Sequence, residues 1–210
     1  MALSIDVIPC GPTQTNSYVL RDDQGRCAVV DPGLEPAPLL AFLNEHDLSP
    51  EAVLVTHGHA DHIAGVGEVV QAHRSAQIVC PAADADMLQD PQRNMSLLFG
   101  LRIVSPAAGL LVNPGDRVSA AGVEWEVLDT SGHTPGGVSY YAADEEVAIV
   151  GDALFQRSIG RTDLPRADGP TLLANIRANL LNLPDDTRVL PGHGPQTTIG
   201  AERSGNPFLG

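Results

Sequence analysis

Residues 56–62 read Thr-His-Gly-His-Ala-Asp-His and follow directly on the apolar run Ala52, Val53, Leu54, Val55. That run is too short for a helix and has the character of a buried strand. Three imidazoles and a carboxylate at its exit have little packing value, and a histidine-rich surface turn is a poor account of all four. A metal site explains them. His57 and His59 are two apart, so in a locally extended chain both project to one side and can share an ion. Asp61 and His62 open the next helix and point elsewhere, toward a second ion. Four ligand-capable groups within six residues exceed the three protein ligands usual for one catalytic zinc, so the spacing fits two metals better.

Further ligands should stand on loops at strand ends, and three candidates do. His133 follows the strand-like Val123–Asp129 in Ser131-Gly132-His133-Thr134-Pro135. Asp152 follows Val147–Val150 in Gly151-Asp152, and His193 follows Arg188–Leu190 in Pro191-Gly192-His193-Gly194. Each alone reads equally well as a turn residue; together with the first cluster they extend it. His46 and His73 sit near expected helix ends, where a cation meets the C-terminal dipole, and are assigned no function.

Around these stretches the chain alternates short strands with helices. Ser4–Pro9, Ser17–Arg21 and Cys27–Asp31 are β-branched or alternating and are separated by turn residues. Leu39, Phe42 and Leu43 share a helical face. Ile63, Val66 and Val70 predict a helix of about three turns. Gln77–Cys80 and Val138–Ala142 read as strands, with weak helical signal through Met87 and over Met95–Phe99. In Val123–Asp129, Val123, Trp125 and Val127 alternate with Glu124 and Glu126, the pattern of a half-solvated strand. Leu172, Leu173, Ile176 and Leu180 stripe a further helix. Two β-rich halves, each flanked by helix and with no linker between them, predict a single α/β domain over residues 1–210, with two sheets face to face and helices outside.

Composition narrows the chemistry. The chain has 210 residues, with 26 acidic and 12 basic side chains and a net charge of -14. A field of that sign repels phosphate backbones, so nucleic acid is not the expected partner. All the basic residues are arginine; without lysine there is no Schiff-base enzyme and no Walker A loop. Cys10, Cys27 and Cys80 are odd in number and lack CxxC spacing, as expected of reduced, buried thiols in a cytoplasmic protein. No signal peptide is legible in Met1–Ser17, and no apolar stretch approaches the roughly 20 residues of a membrane helix.

The box at 56–62, with His133, Asp152 and His193 in order, resembles the metallo-β-lactamase-fold superfamily. Within it, Asn16-Ser17-Tyr18, Asp31-Pro32-Gly33, Gly132-His133-Thr134-Pro135-Gly136 and Pro191-Gly192-His193-Gly194 look like the glyoxalase II (hydroxyacylglutathione hydrolase) branch. Gly151–Phe155, Gly160–Asp163 and Asn206–Leu209 resemble its short bacterial members. The resemblance implies an αββα sandwich, with a first metal on His57, His59 and His133 and a second on Asp61, His62 and His193. Asp152 would bridge the two, and Asp31 would support the ligand loop from behind. The ions expected are zinc, with iron or manganese as alternatives. The implied activity is hydrolysis of a small acyl thioester, possible glutathione conjugates included, by hydroxide shared between the metals, with Asp61 and Asp152 as catalytic groups.

Two departures from the family stand out. The chain ends seventeen residues beyond His193, where full-length glyoxalase II enzymes continue into a helical, glutathione-gripping domain; that domain is expected to be missing. Arg161 and Asp163 stand where the family has lysine and tyrosine, making Arg161 the candidate for an anionic substrate group, or else one half of a structural pair with Asp163. Tyr140 and Tyr141 remain open as proton donors. The competing readings are a persulfide dioxygenase using one iron on His57, His133 and Asp152, and a metal-stabilised binding protein without turnover. β-Lactamase activity fits less well, because those enzymes generally lack an aspartate at the position of Asp152.

Overall fold

The computed structural model describes residues 3–210. Its first sheet takes β1 (Ser4–Cys10), β2 (Thr15–Arg21), β3 (Cys27–Val30), β4 (Ala52–Leu54), β5 (Gln77–Pro81) and β6 (Leu110–Val112) in sequence order. The first three strands are antiparallel, and β3 through β6 are parallel. Helix α1 (Ala37–Glu45) makes the crossover from β3 to β4, and α2 (Ala60–Ile63) with α3 (Val66–Ala72) that from β4 to β5, while 3-10 turns lead from β5 to β6. The second half supplies β7 (Arg117–Ala120), β8 (Val123–Asp129), β9 (Val138–Ala142), β10 (Val147–Gly151), a hairpin of β11 (Leu154–Phe155) and β12 (Ser158–Ile159), then α4 (Gly169–Asn175), β13 (Arg188–Pro191), β14 (Thr197–Thr198) and α5 (Ile199–Gly205). Its sheet runs β14-β13-β10-β9-β8-β7. The αββα sandwich implied by the resemblance is the architecture observed.

Two-residue periodicity builds the layers. In the first sheet Leu20, Val30 and Leu54 face inward and meet Trp125, Tyr140 and Ile149 of the second sheet. Their neighbours Val19, Val29, Val53 and Val55 face outward and pack on Leu39, Leu43, Ile63, Val66 and Val69 of the helices. In the second sheet Tyr141, Ala148, Val150 and Val189 likewise turn outward, against Leu172, Ile176, Leu180 and Ile199. Strands buried on both faces explain the near-continuous apolar runs of β3, β4 and β10. The three cysteines are free and buried, and no helix is long and apolar enough to cross a membrane.

The expected helix through Ile63, Val66 and Val70 is broken in two. Gly65 donates its N–H to Pro32 O at 2.9 Å, and a Cβ there would lie 2.7 Å from Gly33 O. The Asp31–Gly33 turn therefore presses into the helix, and the chain re-enters helix only at Val66. The stripe through Leu172–Leu180 is one continuous element, α4 followed by a π turn over Ile176–Leu180. Weak helical signal at Met87 and Met95–Phe99 corresponds to 3-10 turns over Ala82–Leu88 and Ser96–Phe99. Strands β6, β7 and β14 and helix α5 lacked a readable pattern, being short or half-exposed.

Strand direction places the loops. β10 and β13 are parallel, and β8 runs with them because β9 opposes both β8 and β10. The exits of β8, β10 and β13 therefore share one edge. The exit of β4 meets that edge, since Val138 N donates to Thr56 O at 2.9 Å, and Asn16 N donates across to Gly192 O at 2.7 Å. Two buried tyrosines tie the sheets there reciprocally. Tyr18 of the first sheet donates to Pro191 O at 2.5 Å, and Tyr140 of the second donates to Val55 O at 2.9 Å. Burial raises both phenols above their ordinary range; the Tyr140 hydroxyl is committed to Val55 O, and Tyr141 packs outward under α4. Pro191 O also accepts from Asn16 Nδ2 at 3.0 Å, whereas Tyr140 is the side-chain partner of Val55 O. Tyr140→Phe should therefore lower the unfolding free energy by about 1–3 kcal/mol, more than Tyr18→Phe, in urea denaturation of the two variants.

Candidate metal centre

Every histidine and aspartate of the expected set arrives at this shared edge. His57 and His59 leave β4, Asp61 and His62 lie in α2, His133 follows β8, Asp152 follows β10 and His193 follows β13. Two separate groups form. The ligand atoms of His57, His59 and His133 lie within 4.8 Å of one another, and so do those of Asp61, His62 and His193. In the second group His62 Nε2 stands 3.3 Å from His193 Nε2, and His193 Nε2 is 3.2 Å from Asp61 Oδ2. Such separations suit neighbouring ligands of one tetrahedral ion, about 3.3 Å apart for bonds of about 2.0–2.1 Å. Asp152 lies between the groups: Oδ1 is 3.3 Å from His62 Nε2, and Oδ2 is 3.6 Å from both His133 Nε2 and His193 Nε2.

Each imidazole except His59 is oriented through its far nitrogen. His133 Nδ1 bonds Arg161 O at 2.8 Å, and His193 Nδ1 bonds Thr13 O at 3.1 Å. His62 Nδ1 meets Asp31 Oδ2 at 2.9 Å. His57 Nδ1 meets Thr56 Oγ1 at 3.1 Å, and that hydroxyl donates to Asp31 Oδ2 at 2.5 Å. Asp31 also accepts from Thr56 N at 2.8 Å. Although Asp31 lies close to His57 and His62, its oxygens are committed to these donors, which is a buttressing role. Its own backbone is held at φ +47, a left-handed conformation that aspartate tolerates better than most residues.

The donor set fits a metal. His57 Nε2 and His133 Nε2 are buried without a hydrogen-bond partner, a condition native proteins avoid unless an ion or water completes it. Burial and the neighbouring imidazoles push His57 far down and His59 to about 3, so both are neutral, as a ligand must be. In the second group burial opposes the charge on His62, but Asp152, Asp61 and Asp31 outweigh it and hold the ring above its ordinary value. Asp61 is correspondingly held below the usual carboxylate range, chiefly by His62 and His193 against its burial.

Gly192 is required by close approach: a Cβ there would stand 2.2 Å from Asp152 Oδ1 and 2.5 Å from the His62 ring. The Arg161 guanidinium instead forks onto Asp163 through two 2.9 Å bonds in the open. His46 and His73 cap α1 and α3, as expected.

A sequence profile of the metallo-beta-lactamase superfamily matches residues 10–193. The chain belongs to that superfamily. Among curated relatives of this superfamily member, hydroxyacylglutathione hydrolase GloC of Haemophilus influenzae is 36% identical over 209 residues, covering 99% of this chain and 98% of GloC. Among solved structures, BLEG-1, described as a B3 metallo-beta-lactamase, superposes with a TM-score of 0.94 at 41% identity, covering 98% of this chain and 99% of its own. TTHA1623, solved in a di-iron-bound form, gives a TM-score of 0.87 at 37% identity, covering 97% of this chain and 100% of its own.

One residue of the centre escaped sequence reading. Asp84, fully buried, accepts from Gly58 N at 2.9 Å and from Gly136 N at 2.8 Å. It thus clamps the His57–His59 loop to the His133 loop, and burial raises its carboxyl against the opposing pull of those donors. A single aspartate after β5, one of several acids in Ala83–Asp90, carries no pattern that would reveal it. Asp84→Asn keeps one acceptor oxygen for two loops. Metal titration of that variant should show about tenfold weaker loading of one ion, with the second little changed.

Proposed function

We propose that this superfamily member is a dinuclear-metal hydrolase of acyl thioesters, of the hydroxyacylglutathione hydrolase type. The position of Asp152 between two groups of three donors carries the reading. His57, His59 and His133 would hold one ion, Asp61, His62 and His193 the other, and Asp152 both. A mononuclear iron site on His57, His133 and Asp152 would leave the Asp61–His62–His193 group without a purpose. Bound there, two divalent ions would supply water ionised near neutral pH and a Lewis acid for the thioester carbonyl.

The chain's own residues do the rest. The first group is buried, while Asp61 and His193 keep about a quarter of their side chains exposed, so substrate would approach over them. Asp61, kept ionised by His62 and His193, would carry negative charge at the open side of the centre where water adds to the carbonyl. Asp31, through Thr56 and His62, fixes the rings from behind. A departing thiolate, with a pKa near 8.5, needs no acid from the protein, consistent with Tyr140 and Tyr141 facing away. Arg161 would reach an anionic substrate only by leaving Asp163. Zinc is the metal expected, though the likeness to TTHA1623 makes iron a direct rival. Free buried thiols suit a reducing, cytoplasmic setting.

Elemental analysis should give two ions per chain, and the loaded protein should release thiol from S-lactoylglutathione. A chelator should abolish that release and divalent metal restore it. Asp152→Ala should lose metal and lower kcat/KM by more than about a hundredfold. One iron per chain with oxygen uptake on glutathione persulfide would overturn the proposal. Cleavage of a β-lactam without any thioester, the outcome suggested by the likeness to BLEG-1, would do the same.

A further inference from the structure

The closing stretch Asn206-Pro207-Phe208-Leu209 and the carboxylate one helical turn before it take no part in the centre described above. Glu202 of α5 is 1% exposed and Asn206 4%, and neither belongs to a ligand group. Glu202 commits both oxygens to neutral donors. Oε1 accepts from Thr197 Oγ1 at 2.6 Å, and Oε2 accepts from Arg157 N at 2.8 Å and from Asn206 Nδ2 at 2.9 Å. The Asn206 amide also donates to Ser158 O at 3.0 Å. A carboxylate withdrawn from water is costly unless hydrogen bonds match its charge, so these donors are held in place.

The donors sit on the two segments that lead away from the candidate ligands. Thr197 opens β14, where the loop carrying His193 ends. Arg157 and Ser158 lie at the turn of the β11–β12 hairpin, which begins two residues after Asp152 and ends two residues before Arg161. Arg157 holds φ +57 there, a strained backbone that persists where its surroundings over-determine it. From this turn the hairpin reaches three candidate ligands. Gly160 N donates to Ala153 O at 3.2 Å, and a Cβ on Gly160 would collide with Asp152 O. Arg161 O, next along the chain, accepts from His133 Nδ1 at 2.8 Å. The Phe155 ring lies beside that of His193, with 6.3 Å between centroids.

We propose that Glu202, with Asn206, is a positioning residue for the metal centre. It locks the hairpin turn to the strand after His193, and the locked hairpin keeps Arg161 O where it orients the His133 ring. The proposal rests on the reading of His133 and Asp152 as metal ligands, and it gives the closing segment of the chain a role in that centre.

Exchange of ring N–H protons tests it. In the cobalt-loaded protein the N–H protons of ligand imidazoles are shifted clear of other resonances, and their exchange with deuterium reports the hydrogen bond behind each ring. In Glu202→Ala the His133 Nδ1 proton should exchange about tenfold faster than in wild type. The His62 Nδ1 proton, which rests on Asp31, should keep its rate. Metal loading should weaken about tenfold and kcat on S-lactoylglutathione fall by about the same factor, with KM within about twofold. Glu202→Gln can turn its amide oxygen to Arg157 and Asn206 and donate to Thr197 Oγ1, so it should recover all of these values. Asn206→Ala, which removes one strut, should move them in the same direction by less, and it replaces Glu202→Ala if that variant does not fold. Equal acceleration of both rings, which is general loosening, would overturn the assignment. So would an unchanged His133 rate in folded Glu202→Ala, or a Glu202→Gln as impaired as Glu202→Ala. A wild type that loads metal but cleaves no thioester, with His133 alone released in Glu202→Ala, sinks the hydrolase reading and sustains the clamp.

Discussion

A carboxylate buried among imidazoles is tolerable only when its charge is matched by hydrogen bonds, and Asp31 is where this chain meets that condition. Its two oxygens receive Thr56 N, Thr56 Oγ1 and His62 Nδ1. One side chain thus orients a histidine of each group, His62 directly and His57 through the threonine hydroxyl. Remove it, and two buried rings lose the contact that fixes which nitrogen faces the centre. The Asp31–Gly33 turn also breaks the helix at Gly65, which limits α2 to a single turn and sets the direction in which Asp61 and His62 project.

The sandwich exists to bring two such half-sites together. Each sheet contributes loops from one edge only, because the strands that end in ligands run in the same sense. Tyr18 and Tyr140 lock these edges by reaching across the inter-sheet core to a carbonyl on the opposite ligand loop. Asp84 performs the same service nearer the histidine cluster, joining backbone N–H groups of the His57–His59 and His133 loops. The centre is therefore held by polar contacts between the halves of the chain, while apolar packing between the sheets sets their spacing.

Much of the molecule was legible in order along the chain. Alternation in Val123–Asp129, the apolar run before Thr56 and the stripe from Leu172 to Leu180 each report burial on a repeat that the sequence shows directly. The candidate metal-binding residues were legible because side chains of the right chemistry stand at strand exits or, for Asp61 and His62, in the helix that follows one. What failed to show were elements with too few residues for a period, such as β6 and β14, and contacts whose meaning lies in a distant partner. The unbroken helix expected through Ile63–Val70 was of this second kind: periodicity sees the apolar face and not the turn that wedges against Gly65.

By itself, then, the amino-acid order determined the layers and the candidate ligand set, because burial periodicity and coordination chemistry are local properties. Tertiary structure alone decided that Asp152 lies between the two groups, that Asp31 and Asp84 brace them, and that the Arg161 guanidinium is paired with Asp163. The first two are relations between residues dozens of positions apart. Their energies depend on distances of 2.5–3.6 Å that only the packing of two sheets against each other can set.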